Sequence, residues 1–290
     1  KILVFGASGM VGSAICRAAV RRGLSTEGIF HRHEIKVEGL TAVERLDLSD
    51  LKGIERPVLD RWPDVILNAA AISEPDRVRD DPAAARIINV DLPERLSELT
   101  NHLGARFIHL STDLVFDGSK PPYRSTDLPH PLSVYGKQKL SAEEGVLRRC
   151  PENLLVLRLT LVNGNSPSGR RSVHEKLLRA ISQNDTPTLF EDEYRQPCSC
   201  NNVADILVEL GERPNLTGLF HWGGAERISR YEMGCRILQR FALPVDLIES
   251  GSRKDFSGEG TRPSDITFVL SPLEGKLKTA PSPFPEQLEE

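Results

Sequence analysis

The chain of 290 residues is 39% hydrophobic and 27% charged, with a formal net charge of −4. That length allows one large domain or two lobes with a sizeable core, and the absence of a long basic run argues against a nucleic-acid surface. No stretch reaches 18 apolar residues, so we expect no membrane span, and five scattered cysteines favour reduced thiols in a cytoplasmic protein.

The predicted elements alternate between strands and helices. The first segment, KILVF, is a strand rather than a signal peptide, and we expect only an initiator methionine to precede it. Short apolar runs predict further strands buried on both faces, at 64–70, 105–111 and 153–159. Amphipathic runs predict helices at 10–23, 82–104 and 134–150. This order predicts an α/β fold, a Rossmann-type doubly wound parallel sheet, with a kink or break at Pro93 in the second helix.

A glycine-rich turn joins the first strand to the first helix. The segment GASGMVG has the spacing Gly6-x-x-Gly9-x-x-Gly12 in the strand–turn–helix context that a dinucleotide site requires. The N-terminus of the helix offers free N–H groups to a pyrophosphate. The alternative is a turn whose glycines serve packing only. We predict that the cofactor contacts Gly6, Ser8, Gly9, Met10, Val11 and Gly12.

Later strand ends supply further cofactor candidates. The segment STEGIFHRHE predicts a second strand that ends near residues 30–32. An acid there would bind the ribose 2′-hydroxyl of NAD, but this chain has Arg32, which suits the 2′-phosphate of NADP. We therefore expect NADP(H), with NAD(H) as a second possibility; the alternative is an exposed loop arginine. Residues after a short third strand, VERL, and at the end of the fourth strand, at 64–70, are also expected to lie against the cofactor. They are Asp47, Leu48, Ala69, Ala70 and Ala71.

Polar groups that suit carbonyl reduction follow the fifth predicted strand. Thr112 lies at its carboxyl end, and Tyr135 and Lys139 lie four residues apart at the start of the next helix. We predict that Tyr135 is the general acid and that Thr112 orients the carbonyl. A nearby Lys139 ammonium would lower the pKa of the phenol and also contact the cofactor ribose. The alternative is a tyrosine–lysine pair on a solvated helical face.

The motifs together resemble one known family. GASGMVG, NAAA, STDLVFDG with PPY, YGKQK and the late RP pair resemble the extended short-chain dehydrogenase/reductases, in the branch of dTDP-4-dehydrorhamnose reductase. The resemblance implies a nicotinamide-dependent reductase of a nucleotide-linked 4-keto-6-deoxy sugar, with its catalytic set at Thr112, Tyr135 and Lys139. The chain departs from that branch at Leu114 and Leu161, where the reductases carry aromatic residues that line the sugar pocket.

A second resemblance leaves the function open. Residues 218–244 and 195–197 are similar to the regulatory β subunit of methionine adenosyltransferase, which shares the reductase fold, binds NADP and serves mainly as a partner. A non-catalytic regulatory subunit is therefore an alternative, and a nucleotide-sugar epimerase or dehydratase is another. A homodimer or a partner enzyme is compatible with either. No second Cys or His pair accompanies Cys198 and Cys200, so we expect no metal site.

The C-terminal part is expected to bind the substrate. After about residue 160 the strands shorten and proline becomes denser, so we assign 1–160 to an NADP-binding Rossmann domain, joined by late elements from about 190–222. The segments 161–189 and 223–290 then form a smaller substrate lobe. Charged and polar residues are candidate substrate contacts, arginine being suited to a diphosphate; the alternative for each is a solvated loop side chain. They are Glu74, Asp113, Arg195, Gln196 and Arg262.

Overall fold

The architecture is built around one parallel sheet. The computed structural model describes residues 1–150, 152–255 and 262–290. The strands are β1 (Ile2–Phe5), β2 (Thr26–Phe30), β3 (Ala42–Arg45), β4 (Val65–Asn68), β5 (Arg106–Thr112), β6 (Leu154–Leu159), β7 (Val162–Asn163), β8 (Thr188–Phe190), β9 (Tyr194–Arg195), β10 (Cys198–Ser199), β11 (Gly218–Trp222), β12 (Ile228–Ser229) and β13 (Glu249–Gly251). The helices are α1 (Met10–Arg21), α2 (Glu55–Arg61), α3 (Pro75–Asp80), α4 (Pro82–Arg86), α5 (Leu92–Leu103), α6 (Val134–Arg149), α7 (Val173–Ser182), α8 (Cys200–Gly211), α9 (Arg230–Arg240) and α10 (Phe284–Gln287).

The strand order creates a binding crevice. The central sheet runs β11-β6-β5-β4-β1-β2-β3, and every neighbouring pair is parallel. From β1 the chain proceeds to β2 and β3 on one side, then crosses to β4, β5, β6 and β11 on the other. Such sheets bind ligands at the carboxyl ends of the strands where the order reverses, here between β1 and β4. The predicted Rossmann-type fold is confirmed.

Helices cover both faces of the sheet because its strands are apolar on both sides. On one face Ile2 and Val4 of β1 pack with residues of α1 and α8. Leu3 and Phe5 point to the opposite face and pack with α2, α5 and α6. Each fully buried side chain of this kind stabilises the fold by ~1.5–3 kcal/mol. In the described ranges, no helix is both long and apolar enough to cross a bilayer.

The predicted break in the second long helix takes the form of a π-helical turn. Helix α4 passes into a π turn at Ile87–Asp91 and then into α5, where Pro93 stands in the first turn. Because proline has no N–H to donate, the regular hydrogen-bond ladder cannot pass through it. The turn places Asn89 in the interior, where its amide bonds the backbone of Ile72 and the side chain of Gln138. The helix break therefore ties the loop after β4 to α6.

Two smaller hydrophobic clusters lie in the C-terminal part. One joins α7, α9 and α10 around Leu177, Ile237 and Phe284. The other joins the segment after β5 to the chain near Phe268 through stacked Phe116 and Tyr123 rings, whose centroids are 4.0 Å apart. Strand β11 and helix α8 belong to the central sheet and its cover. The boundaries of the two predicted lobes stay a prediction, and residues 256–261 of the second lobe lie outside the described residues.

Candidate cofactor and active site

The glycine turn after β1 is shaped by close backbone contacts. Gly6 has φ +75°, and a Cβ added to it would lie 2.7 Å from the backbone nitrogen of Ala70. A Cβ on Gly12 would lie 2.1 Å from the carbonyl oxygen of Gly6. Gly9 is different, since it is exposed and an added Cβ meets only that same oxygen, at 3.2 Å. Gly6 and Gly12 therefore build the turn, while Gly9 keeps its outer surface open.

The turn is open to a phosphate group at the start of α1. Gly9 is the N-cap residue and no side chain caps the helix, so its first N–H groups are available to an anion. Ser8, Met10 and Val11 are half-buried around this point. These features fit the pyrophosphate of a dinucleotide.

The remaining cofactor candidates lie at the same edge of the sheet. Ala69, Ala70 and Ala71 directly follow β4, and the backbone of Ala69 and Ala70 lies against the turn at Gly6. Arg32 is exposed just after β2, and within the described chain its guanidinium has no hydrogen-bond or ion-pair partner. It is therefore available to a 2′-phosphate.

The two candidates after β3 differ in exposure. Asp47 is exposed and accepts hydrogen bonds from the backbone N–H and the hydroxyl of Ser49, at 3.0 and 2.6 Å. It also lies 3.5 Å from His31, which precedes Arg32. Leu48 packs in the core with only 4% exposure, so any contact it makes with a cofactor falls to its backbone.

Thr112 and Tyr135 are both nearly buried, with 8% exposure each. The Thr112 hydroxyl donates to Asp113 Oδ1 at 3.1 Å and accepts from the Leu114 N–H at 3.2 Å. Tyr135 lies in the first turn of α6, and its ring packs against Val78 of α3. In the described part of the chain its hydroxyl has no hydrogen-bond partner, so it is free to meet a ligand.

The pKa of Tyr135 moves against the expectation from the sequence. Burial raises it above its ordinary value, the nearby Asp113 raises it further, and Arg171 opposes the two. The predicted lowering by Lys139 is wrong for this structure, because the lysine amine is engaged elsewhere. Its Nζ donates to the Leu110 carbonyl oxygen at 2.6 Å and lies 3.0 Å from Nε2 of His109. The phenol is therefore fully protonated near neutral pH.

Lys139 is itself perturbed. It is 2% exposed, and burial lowers its pKa from 10.5 to about 8, although Glu143 on the next turn opposes that shift. Glu143 is largely neutralised by Arg158, whose guanidinium donates to it at 2.6–3.2 Å, and by the Ser111 hydroxyl. The lysine therefore titrates close to neutral pH.

Asp113 lies between the tyrosine and an arginine cluster. Burial raises its pKa from 3.8 to about 6, while Arg195 and the Thr112 hydroxyl lower it. Arg195 also reaches Glu193 at 3.0 Å, and Glu193 lies 3.9 Å from Arg230 and 3.5 Å from Arg262. Three guanidinium groups thus surround one buried carboxylate. Guanidinium groups grouped in this way suit an anionic ligand.

The arginine cluster borders a cavity of about 450 Å³. It is lined by Thr188, Leu189, Phe190, Glu193, Arg230, Gly251, Ser252, Asp255 and Arg262. Arg195 and Arg262, two of the predicted substrate contacts, are brought together here through Glu193. Arg230 was missed by the sequence analysis, because an arginine at the start of an amphipathic helix carries no distinguishing pattern.

Two other predicted substrate contacts are already engaged within the chain. Gln196 donates from its side-chain amide to the Gly224 carbonyl at 2.8 Å and accepts from the Phe268 N–H at 2.9 Å. This pairing leaves it little capacity for a ligand. Glu74 lies 2.9 Å from Arg77 and 3.6 Å from Arg171, which also donates to the hydroxyl of Ser73.

Arg171 is a further residue that the sequence analysis missed. It precedes α7 and reaches across to the loop after β4, close enough to Tyr135 to lower the pKa of the phenol. The two leucines at the usually aromatic positions differ in place. Leu114 packs beside Tyr135, whereas Leu161 packs against the cluster of α7 and α9. Leu114 is therefore the departure that lies next to the candidate catalytic residue.

Comparisons with known proteins agree with this fold. A family model described as "RmlD substrate binding domain" matches residues 1–290. Methionine adenosyltransferase 2 subunit beta of Pongo abelii is 34% identical over 283 residues, which cover 94% of this chain and 81% of that protein.

Solved structures are similar over almost the whole chain. A hypothetical dTDP-4-dehydrorhamnose reductase from Sulfolobus tokodaii has a TM-score of 0.84 and 28% identity, covering 96% of this chain and 95% of that one. A dTDP-4-dehydrorhamnose reductase from Bacillus anthracis, solved in complex with NADP, has a TM-score of 0.84 and 19% identity, covering 99% and 96%. At that identity the second likeness shows the fold alone.

Proposed function

Because this chain belongs to the family of the RmlD substrate binding domain, we propose that it is an NAD(P)H-dependent reductase of a nucleotide-linked 4-keto-6-deoxy sugar. The observation that carries the proposal is the placement of Thr112 and Tyr135. Thr112 is the last residue of β5, two strands from the glycine turn after β1, and Tyr135 lies in the first turn of α6 with a free hydroxyl. A substrate carbonyl that accepts hydride in the crevice would therefore lie beside a proton donor of the protein.

The cofactor is proposed to be NADPH in preference to NADH. Its nicotinamide supplies the hydride. The N-terminus of α1 at Gly9 receives the pyrophosphate, and the exposed Arg32 is the charge available to a 2′-phosphate. The NADP in the related Bacillus anthracis fold is consistent with this choice.

The protein side of the reaction is proton transfer. A carbonyl that gains hydride becomes an alkoxide, which is basic enough to take the proton of a phenol whose pKa is raised. Tyr135 is the proposed general acid. The Thr112 hydroxyl accepts from the Leu114 N–H, and it would turn its single O–H from Asp113 to the carbonyl oxygen when the substrate binds. Lys139 behind them is the proposed source of the replacement proton.

The substrate diphosphate is proposed to bind at the arginine cluster. Arg195, Arg230 and Arg262 meet at Glu193, and arginine forms paired hydrogen bonds to phosphate oxygens. Arg195 also acts on Asp113, beside Tyr135. A sugar attached to the diphosphate would therefore extend toward the phenol.

NADPH oxidation with dTDP- and UDP-linked 4-keto-6-deoxy sugars tests the proposal. Tyr135→Phe is expected to lower kcat by roughly 100-fold or more while retaining NADPH affinity, since a positioned general acid contributes 10²–10⁴-fold. Tyr231→Phe, on α9, is the matched control and should keep full turnover. Tight NADPH binding without turnover of any nucleotide keto sugar contradicts the proposal.

A non-catalytic regulatory subunit is the second candidate. It is favoured by the 34% identity to methionine adenosyltransferase 2 subunit beta and by aliphatic Leu114 beside Tyr135. Affinity purification from the native cell would then recover a stoichiometric partner enzyme whose activity changes with NADPH. Recovery of the chain alone, together with rapid reductase turnover, rejects this candidate.

A further inference from the structure

A directed chain of hydrogen bonds begins at the cofactor crevice. The backbone N–H of Ala70, against the turn at Gly6, donates to Oδ1 of Asn68 at 3.1 Å. A backbone N–H can only donate, so this contact fixes which end of the Asn68 amide faces Ala70. The opposite end, Nδ2, then faces the interior and must donate.

The next member of the chain is His109 on β5. Asn68 Nδ2 lies 3.2 Å from Nδ1 of His109, and both side chains are 1% exposed. Since Nδ2 donates, Nδ1 accepts. Burial and the nearby Lys139 lower the pKa of His109 well below its ordinary value, so the ring is neutral. A neutral imidazole carries one proton, which must therefore be on Nε2.

That proton points at Lys139. Nε2 of His109 lies 3.0 Å from Nζ, which also donates to the Leu110 carbonyl oxygen at 2.6 Å. Only a neutral amine has a lone pair for the Nε2–H. An ammonium would instead need Nε2 as an acceptor, so the ring proton would be on Nδ1. The Nδ1–H of His109 and the Nδ2–H of Asn68 would then face each other.

We propose that Asn68 and His109 are positioning residues that hold the amine of Lys139 in place and set its protonation through the fixed direction of this chain. The proposal rests on the proposed function only for its consequence in turnover. In that reaction each cycle removes one proton from the protein. Because the Nε2–H of His109 disfavours an ammonium, Lys139, whose pKa is about 8, holds a proton at neutral pH and releases it readily.

The other groups around Lys139 do not supply this control. On α6, Tyr135 is one turn earlier and stays protonated, while Glu143 is one turn later. Glu143 is held by Arg158 from β6 and Ser111 from β5. Asp113, after β5, acts on Tyr135. Among the described residues, His109 is the titratable side chain that contacts Nζ directly.

The wild-type protein provides the first test. Imidazole ¹⁵N shifts of His109, recorded above the lysine titration at about pH 10, are expected to show the proton on Nε2. The ¹³Cε signal of Lys139, assigned with Lys139→Met, is expected to titrate near pH 8. A proton on Nδ1, or a lysine signal that titrates as it does in a free chain, overturns the proposal. Neither measurement depends on reductase activity or on a variant at Asn68.

Asn68→Asp reverses the chain with an isosteric side chain. Its carboxylate accepts from both Ala70 and His109, which moves the ring proton to Nδ1, lets Nε2 accept from an ammonium, and raises the lysine titration by about one pH unit or more. In a His109→Phe background the same substitution should move the titration far less. An equal shift with and without His109 indicates a through-space charge effect and overturns the proposal.

Kinetics separate this proposal from the proposed function. If the NMR shifts occur as expected and no nucleotide keto sugar is reduced, the proposed function fails and the positioning role stands. If the reductase is active and its alkaline limb of kcat does not move in Asn68→Asp, the positioning role fails alone.

Discussion

Gly9 and Gly12 make different contributions to the turn after β1. Substitution to alanine should weaken cofactor binding at Gly9 and should also lower the stability of the fold at Gly12. An added Cβ on Gly9 meets only the Gly6 carbonyl oxygen at 3.2 Å, whereas on Gly12 it lies 2.1 Å from that atom. Gly9→Ala should keep the free energy of unfolding near wild type and weaken NADPH binding by roughly 10- to 100-fold, the loss expected for one or two phosphate hydrogen bonds. Calorimetric titration and urea unfolding measure both quantities. Gly12→Ala, the contrasting variant, should lose stability as well; equal stability of the two contradicts this assignment.

Asp113 gives a pH-dependent prediction at the same scale. Its pKa is raised from 3.8 to about 6, so the folded state binds this proton more tightly than the unfolded state. The associated stability is fully present below about pH 4 and is lost as pH rises through 6, a change of ~3 kcal/mol. Asp113→Asn removes this dependence, so its stability relative to wild type should rise by about that amount between pH 4 and pH 7. Urea unfolding at the two pH values measures it.

Asp117→Asn is the control of opposite sign. Serine and tyrosine hydrogen bonds lower the pKa of Asp117, so its charge stabilises the fold at neutral pH and that contribution is lost on acidification. Its stability relative to wild type should therefore fall, not rise, as pH increases from about 2 to 7, with most of the change below about pH 4. The same trend in both variants would contradict the assignment of the Asp113 shift to burial.

Helix α6 carries Tyr135 and Lys139. Substitutions at its two internal glycines test how closely the helix packs against its neighbours. An added Cβ on Gly136 would lie 2.2 Å from the backbone carbonyl of Leu114, which cannot move without the segment after β5. On Gly145 it would lie 2.0 Å from the end of the flexible Glu94 side chain. Gly136→Ala should destabilise the protein by roughly 1–3 kcal/mol and displace Tyr135.

Gly145→Ala is the matched control for α6. Helix propensity favours alanine by ~0.5–1 kcal/mol, and the displaced Glu94–Arg149 ion pair contributes about as much, so stability should change by less than about 1 kcal/mol. Thermal unfolding and NADPH-dependent turnover, measured for both variants, test this difference between Gly136 and Gly145. Equal losses at both positions would show that α6 tolerates no added carbon anywhere.

The sequence could predict features that depend on residues close together in the chain, but not features that depend on residues far apart in it. The strands, the glycine turn and the spacing of Tyr135 and Lys139 are local patterns, and the parallel order follows from their alternation. The pKa of Tyr135 was predicted in the wrong direction because it depends on burial and on Asp113, 22 positions away in the chain. The arginine cluster joins residues of β9, α9 and the segment at Arg262, and no local pattern marks such a meeting.

The molecule as a whole is expected to respond separately to its two ligands, because the glycine turn and the arginine cluster lie on different elements. At about 100 times its Kd a ligand adds ~2.7 kcal/mol to stability, which raises Tm by roughly 5–10 °C at this chain length.

Arg230→Gln should reduce the Tm increase caused by dTDP and preserve the increase caused by NADPH. Arg240→Gln, on the same helix and paired with Glu289, should preserve both. A full dTDP response in Arg230→Gln, or loss of the NADPH response with it, would place the diphosphate elsewhere, because the substitution removes one of the three guanidinium groups around Glu193.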